Sequence, residues 1–135
     1  MDAAIFISDT HFGCRLGLCP PRRIHLDDGG TYEPSAFQKK VYKLWEEFHN
    51  EWVPLVTRKG PYHLVHVGDV IEGVHHGTKT QISENYADQL KLAKMVMEPI
   101  VERCLKKGGK YFHIRGTEAH VGKSGEYEEI LAQSL

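Results

Sequence analysis

Three apolar runs of strand length punctuate the chain, at residues 3–8, 62–67 and 111–115. Each gives way at once to polar text rich in glycine, acid and histidine. Short continuous runs bounded by turn residues, with Leu64, Val65 and Val67 inside the second, read as buried strands. Between them the period changes. After Pro34-Ser35, the residues Phe37, Val41, Leu44, Trp45, Phe48 and Trp52 follow helical spacing, which predicts a helix to about Trp52 with that stripe facing the core. Gly60-Pro61 breaks the chain before the second strand. Ser83 with Glu84 opens another helix, which runs to Lys106-Lys107 and stops at Gly108-Gly109. Leu90, Ala93, Met97, Ile100, Val101 and Leu105 form its expected buried face. Residues 125–135 read as a last helix. The order βαβαβα predicts an α/β fold, with three or more mostly parallel strands alternating with helices and right-handed crossovers, in a single domain over 1–135. Residues 9–33 form a long loop rich in Gly, Pro, Asp and Arg, and loops of that length inside a compact domain are uncommon and often functional.

Composition narrows the class without naming a function. The hydrophobic fraction of 41% and charged fraction of 26% are those of a globular protein. A net charge of −1 gives no general pull on nucleic acid, so any such contact must be local. Cys14, Cys19 and Cys104 are odd in number and lack CxxC spacing, which predicts free thiols in a reducing compartment. No apolar run reaches the length of a membrane span and no basic segment precedes an apolar one at the start, so the expected location is cytoplasmic, with no membrane partner.

The chemistry lies behind the strands, in Asp9-Thr10-His11, Gly68-Asp69-Val70-Ile71-Glu72 and Gly116-Thr117-Glu118-Ala119-His120. Ligands emitted from successive strand ends of one sheet converge, and that rim is where sites form in open α/β sheets. Period-2 geometry would turn Asp9 and His11 the same way. Carboxylates with imidazole suit divalent ions such as manganese, iron or zinc, which predicts a metal-dependent hydrolase. The plainer alternatives are Asp69 capping the next turn and Glu72 paired with a nearby base. Arg15, Arg22 and Arg23 follow the first signature. They either clamp a phosphate, Arg15 first among them, or form a solvated basic loop facing Asp27-Asp28. Lys106, Lys107 and Lys110 decorate a helix end.

Together these residues resemble the calcineurin-like metallophosphoesterase superfamily, whose pattern runs DxH, GDxxD or a close variant, GNH followed by an acid, then histidines ending in GHxH. The first two motifs match, with Glu72 in place of the usual acid or amide. The wider text, including Gly17-Leu18-Cys19-Pro20-Pro21 and Gly73-Val74-His75-His76-Gly77-Thr78, looks like phage-type members. The resemblance implies the first half of an αββα sandwich and a two-metal phosphoesterase using manganese first, with iron, zinc or nickel as alternatives. Its substrate would be a phosphomonoester, a phosphodiester or nucleic acid. Asp9 and His11 would hold one ion, Asp69 would bridge both, and Glu72 would orient a ligand. The third motif departs from the family. Thr117 stands where the Asn ligand is expected, so Glu118 is the better second-ion ligand, and His120 would protonate the leaving group or bind the phosphate. The chain stops at Leu135, before any of the pattern's later histidine motifs. His75 and His76 are the expected substitutes for them, and His113 is a less favoured one because it lies inside a strand. A three-strand sheet covered on one side would expose an apolar face, which predicts a homodimer or another covering partner. The alternative to an enzyme is a truncated, catalytically impaired metal-binding or interaction module of the same fold.

Overall fold

A run of four apolar residues rich in β-formers sets the first strand, β1 (Ala4–Ile7), with Ile5 and Ile7 turned inward and Ala4 and Phe6 outward. The computed structural model describes residues 3–74, 77, 79–116 and 126–135. After β1 come the short strands β2 (Ile24–His25) and β3 (Thr31–Tyr32), helix α1 (Ala36–Glu47), a π-helical turn (Phe48–Trp52) and helix α2 (Val53–Val56). Strand β4 (His63–His66), helix α3 (Tyr86–Lys106), strand β5 (Tyr111–His113) and helix α4 (Glu126–Ser134) complete the order. The three long-range strands form a parallel sheet in the order β1-β4-β5, so the chain is an α/β protein. Parallel neighbours require crossovers, and the helices supply them. No described helix is long and apolar enough to cross a membrane.

The register sets two unlike faces. Ile5, Leu64 and Tyr111 align in one row and Ile7, His66 and His113 in another, and this side packs into the helical core with Leu92, Val96 and Met97 of α3. The intervening row is Phe6, Val65 and Phe112. Its edges are open, Phe6 being 64% and Phe112 48% exposed, with Val65 sunk between them.

Three sequence expectations change in detail. The 9–33 loop carries the β2–β3 hairpin, closed by Leu26 N–H donating to Gly30 O and Gly29 N–H to Leu26 O. The first helix leaves regular α geometry at Phe48. Pro54 has no N–H to give the helix ladder and its ring crowds the preceding turn, and the chain responds by widening, with Val53 N–H reaching back to Phe48 O. The apolar stripe of α1 and the π-helical turn meets the core only in part: Val41, Trp45 and Phe48 are half-buried against it, Phe37, Leu44 and Trp52 are exposed, and the fully buried residue of α1 is Gln38. α1 lies over the 14–18 loop, and Gln38 satisfies that loop's carbonyls, donating to Cys14 O and Gly17 O at 3.1 Å.

The second long helix starts at Tyr86, because Asn85 is the cap and accepts from Ala87 N–H. Its buried line runs through Gln89, Leu92, Ala93, Val96, Met97, Ile100, Val101 and Cys104. That is one helical face, and Leu90 and Leu105 fall to its edges, half-buried and exposed. All three cysteines are buried free thiols.

His49, in the π-helical turn, is buried between the rings of Trp45 and Phe48, with centroids 4.2 and 4.9 Å away. Burial, with the nearby Arg103 charge, lowers its pKa from 6.5 to about 4. A histidine held neutral in the fold binds protons more readily once unfolded. Its stabilising effect is therefore present above the unfolded value and is lost as pH falls from 6.5 toward 4. We expect a loss of about 2 kcal/mol between pH 7 and pH 5 from this group. Urea midpoints at both pH values should show His49→Leu with a shallower acid dependence than the parent chain. Equal dependence would remove His49 as a cause.

Candidate metal centre

The centre begins where β1 and β4 stop. Their backbones stay paired past the strand ends, with Asp9 N–H donating to Gly68 O at 3.1 Å, His11 N–H to Asp69 O at 3.1 Å and Phe12 N–H to Val70 O at 2.8 Å. Within this paired stretch Asp9, His11 and Asp69 adopt left-handed backbone, at φ 54°, 44° and 54°. Among the described residues the other non-glycine positions of that kind are Arg58 and Lys59, in the turn after α2. Left-handed backbone is costly for side-chain-bearing residues and gathers at functional sites. Period-2 alternation is therefore not what aligns Asp9 with His11: the strand has already ended, and the two left-handed residues turn the side chains together instead. One ligand atom from each of Asp9, His11 and Asp69 lies within 4.8 Å of the others, and Asp9 Oδ1 stands 3.4 Å from His11 Nε2.

Thr10, between Asp9 and His11, points the opposite way into the core. Gly68 N–H donates to His66 Nδ1 at 3.1 Å, which leaves the His66 proton on Nε2, facing Thr10 Oγ1 at 3.1 Å. The Thr10 hydroxyl in turn donates to Val70 O at 3.0 Å. Every proton in this chain has an acceptor, and it needs a neutral His66. Burial, with His113 beside it, lowers the His66 pKa to about 4. On the ligand side, Glu72 is buried and sets Oε2 3.3 Å from His11 Nδ1. A carboxylate behind a ligating imidazole fixes the ring and raises its basicity. Asp9 is held below the usual carboxylate range, chiefly by its hydrogen bond with Ser8; burial opposes this, and His11 adds to the lowering.

The third loop arrives at Gly116. A Cβ there would stand 2.4 Å from Asp69 Oδ1 and 2.3 Å from Asp69 N, so only glycine allows this approach. Gly68, at φ 104°, likewise leaves no room for a Cβ, which would meet Gly116 Cα at 2.7 Å. Glu128 of α4, 1% exposed, ties the two loops together. Its Oε1 accepts from Val70 N–H at 3.0 Å, and its Oε2 accepts a short bond from Gly116 N–H. His113 Nε2 lies 3.5 Å from Oε1. Burial alone would raise the Glu128 pKa, but the donors from His113, Gly116 and Val70 outweigh it and hold the carboxyl below its ordinary value.

The remaining expected residues divide clearly. Arg15 carries its guanidinium over the Tyr32 ring, 5.3 Å from the centroid, away from the trio, and Arg23 pairs with Glu33. Asp27 accepts from Asn85 Nδ2 through Oδ2 and donates its backbone N–H to Asp88 Oδ1, in place of pairing with the arginines. His113 packs against Tyr111, Glu128 and the stacked ring of His66, facing away from the ligands. His75, His76, Thr117, Glu118 and His120 lie outside the described residues. Sequence reasoning missed Glu128, Thr10 and His66 as supports, and also Gln89, which is fully buried and joins the 73 loop to α3 through Gly73 N–H and Gly73 O. A histidine inside an apolar run was the available signal for His66. Glu128 sits among Glu126 and Glu129 and looks like part of a solvated face.

Two carboxylates and an imidazole suit a first-row divalent ion. Ligand atoms about 2.0–2.2 Å from one ion are separated by roughly 3–4.4 Å, so the spacing of Asp9, His11 and Asp69 fits such an ion after small side-chain rotations. Beside the trio opens a cavity of about 500 Å³, lined on one side by Asp9, His11 and Glu72 and on the other by α1. No protein-family model, curated protein or solved structure matches this chain.

Proposed function

We propose that the protein is a metal-dependent phosphoesterase that cleaves a phosphate ester with metal-activated water. The observation that carries this reading is the convergence of Asp9, His11 and Asp69 from adjacent strand ends, each held in left-handed backbone. The parallel sheet and the DxH and GD loops at its rim support the metallophosphoesterase resemblance and its half-sandwich fold. A divalent ion held by the three residues, manganese in the first instance, would supply Lewis acidity toward a phosphoryl oxygen and lower the pKa of water. Glu72 would orient the His11 ring, and the paired loops would keep the carboxylates from turning outward. The same proposal gives Glu118 to a second ion shared through Asp69, and the leaving-group proton to His120. It also places the chain in the cytoplasm and a second copy against the Phe6, Val65 and Phe112 face. The aromatic edges of that face flank a lower centre, a shape that two copies can interlock.

The test is metal content after manganese loading and desalting, with diester hydrolysis and sedimentation on the same sample. Two ions per chain with hydrolysis is the expected result. One ion without hydrolysis would leave a metal-binding module, no retained ion would overturn the reading, and a monomeric sedimentation profile would remove the second copy.

A further inference from the structure

We infer that the site takes a small phosphate ester whose organic group is apolar and of aromatic size, and that Leu16, Leu18, Val41, Leu44 and Trp45 hold that group. The inference rests on the phosphoesterase reading for its phosphoryl end alone. Val41, Leu44 and Trp45 are spaced i, i+3 and i+4 on α1, so they share one helical face. Val41 and Trp45 rest against the edge of the core, but none of the three is fully buried. That face forms a wall of the cavity of about 500 Å³ whose other side holds Asp9 and His11, while Leu16 and Leu18 come from the loop beyond them. Leu16 is 69% and Leu44 58% exposed, two large apolar side chains presented to one cavity.

The volume lies in the range of small-molecule sites, about 300–1,000 Å³, which combine apolar walls with a few convergent polar groups. Here the polar groups are gathered at the trio. No lysine or arginine is among the described residues lining the cavity. A nucleic-acid strand presents a phosphate at every nucleotide and needs cations along its path, whereas an aryl phosphate needs charge at one end and apolar contact at the other. The cavity matches the second. Arg15, the nearest candidate for a phosphate clamp, is engaged on Tyr32.

Two titrations of the full chain separate this inference from the reading beneath it. In metal-free protein, 1-naphthol should give a saturable shift of the Trp45 indole N–H signal. Leu44→Asp should abolish that shift, and Leu55→Asp, outside the cavity on α2, should keep it. In manganese-loaded protein, naphthylmethylphosphonate should bind at least ten times more tightly than methylphosphonate, and Leu44→Asp should erase the difference while manganese content stays unchanged. Naphthol binding without manganese retention would uphold the cavity and remove the phosphoesterase. Manganese retention without naphthol binding, an aryl preference that survives Leu44→Asp, or displacement of the arylphosphonate by a lower concentration of a single-stranded oligonucleotide would overturn the inference.

Discussion

Asp69→Asn is expected to weaken manganese binding at least 100-fold, above the roughly 10–100-fold typical of losing a partner behind the ligands, and to abolish hydrolysis by the loaded chain. The substitution is informative because it keeps the backbone in place. Asn tolerates left-handed backbone nearly as well as Asp, so the φ of 54° at this position and the acceptance of His11 N–H by the residue 69 carbonyl both survive. Asp69→Ala would not isolate the carboxylate, since the left-handed conformation itself costs such a residue about 1–2 kcal/mol. Thermal melts give the contrast. An ion at a hundred times its dissociation constant stabilises the native state by about 2.7 kcal/mol. That gain should appear in the parent chain and vanish in the variant. An unchanged manganese-induced gain in the variant would show that the ion sits elsewhere.

How far the sequence speaks for itself depends on whether a property is local. Strands were legible because short apolar runs ending in Gly and Asp leave few alternatives, and β1, β4 and β5 form inside those runs. The trio was legible for a topological reason: β1 and β4 are neighbours in a parallel sheet, so residues just past their ends must meet. What brings Asp9 beside His11 was not legible, because left-handed backbone at a non-glycine residue leaves no pattern in the text. The α1 stripe shows the opposite limit. Its period was read correctly as helical, yet periodicity cannot say whether an apolar face meets the core or a cavity. Five of the six stripe residues line the space beside the trio or face outward, while a glutamine fills the buried position. The hairpin inside the 9–33 loop escaped because its strands are two residues long.

Glu128 is where the sequence misleads most, and its replacement should have the second largest effect. Three N–H groups face one buried carboxylate: Val70 N–H and Gly116 N–H donate to it, and His113 Nε2 stands 3.5 Å away. Tyr111 OH lies 2.6 Å from His113 Nδ1, and its own pKa is pushed up by burial, so it remains a donor and leaves the imidazole proton on the Glu128 side. An amide cannot replace this carboxylate, because its NH₂ would face a backbone N–H. Glu128→Gln should therefore cost about 1–3 kcal/mol, and Glu128→Ala, which strands all three donors, about 3–5 kcal/mol. The neighbouring Glu129 pairs with Arg115 in solvent, and Glu129→Ala should change stability by less than about 1 kcal/mol. Stability alone would not separate a core support from a site support. The two amides that Glu128 grips adjoin Asp69 on one loop and open the third signature on the other, so the folded Glu128→Gln variant should also lose about tenfold in manganese affinity. Calorimetric titration of that variant, at a temperature where it remains native, decides the matter. Parental affinity in the folded variant would confine Glu128 to the core, whereas a matched loss with Glu129→Ala unaffected would make α4 the clamp that fixes the rim.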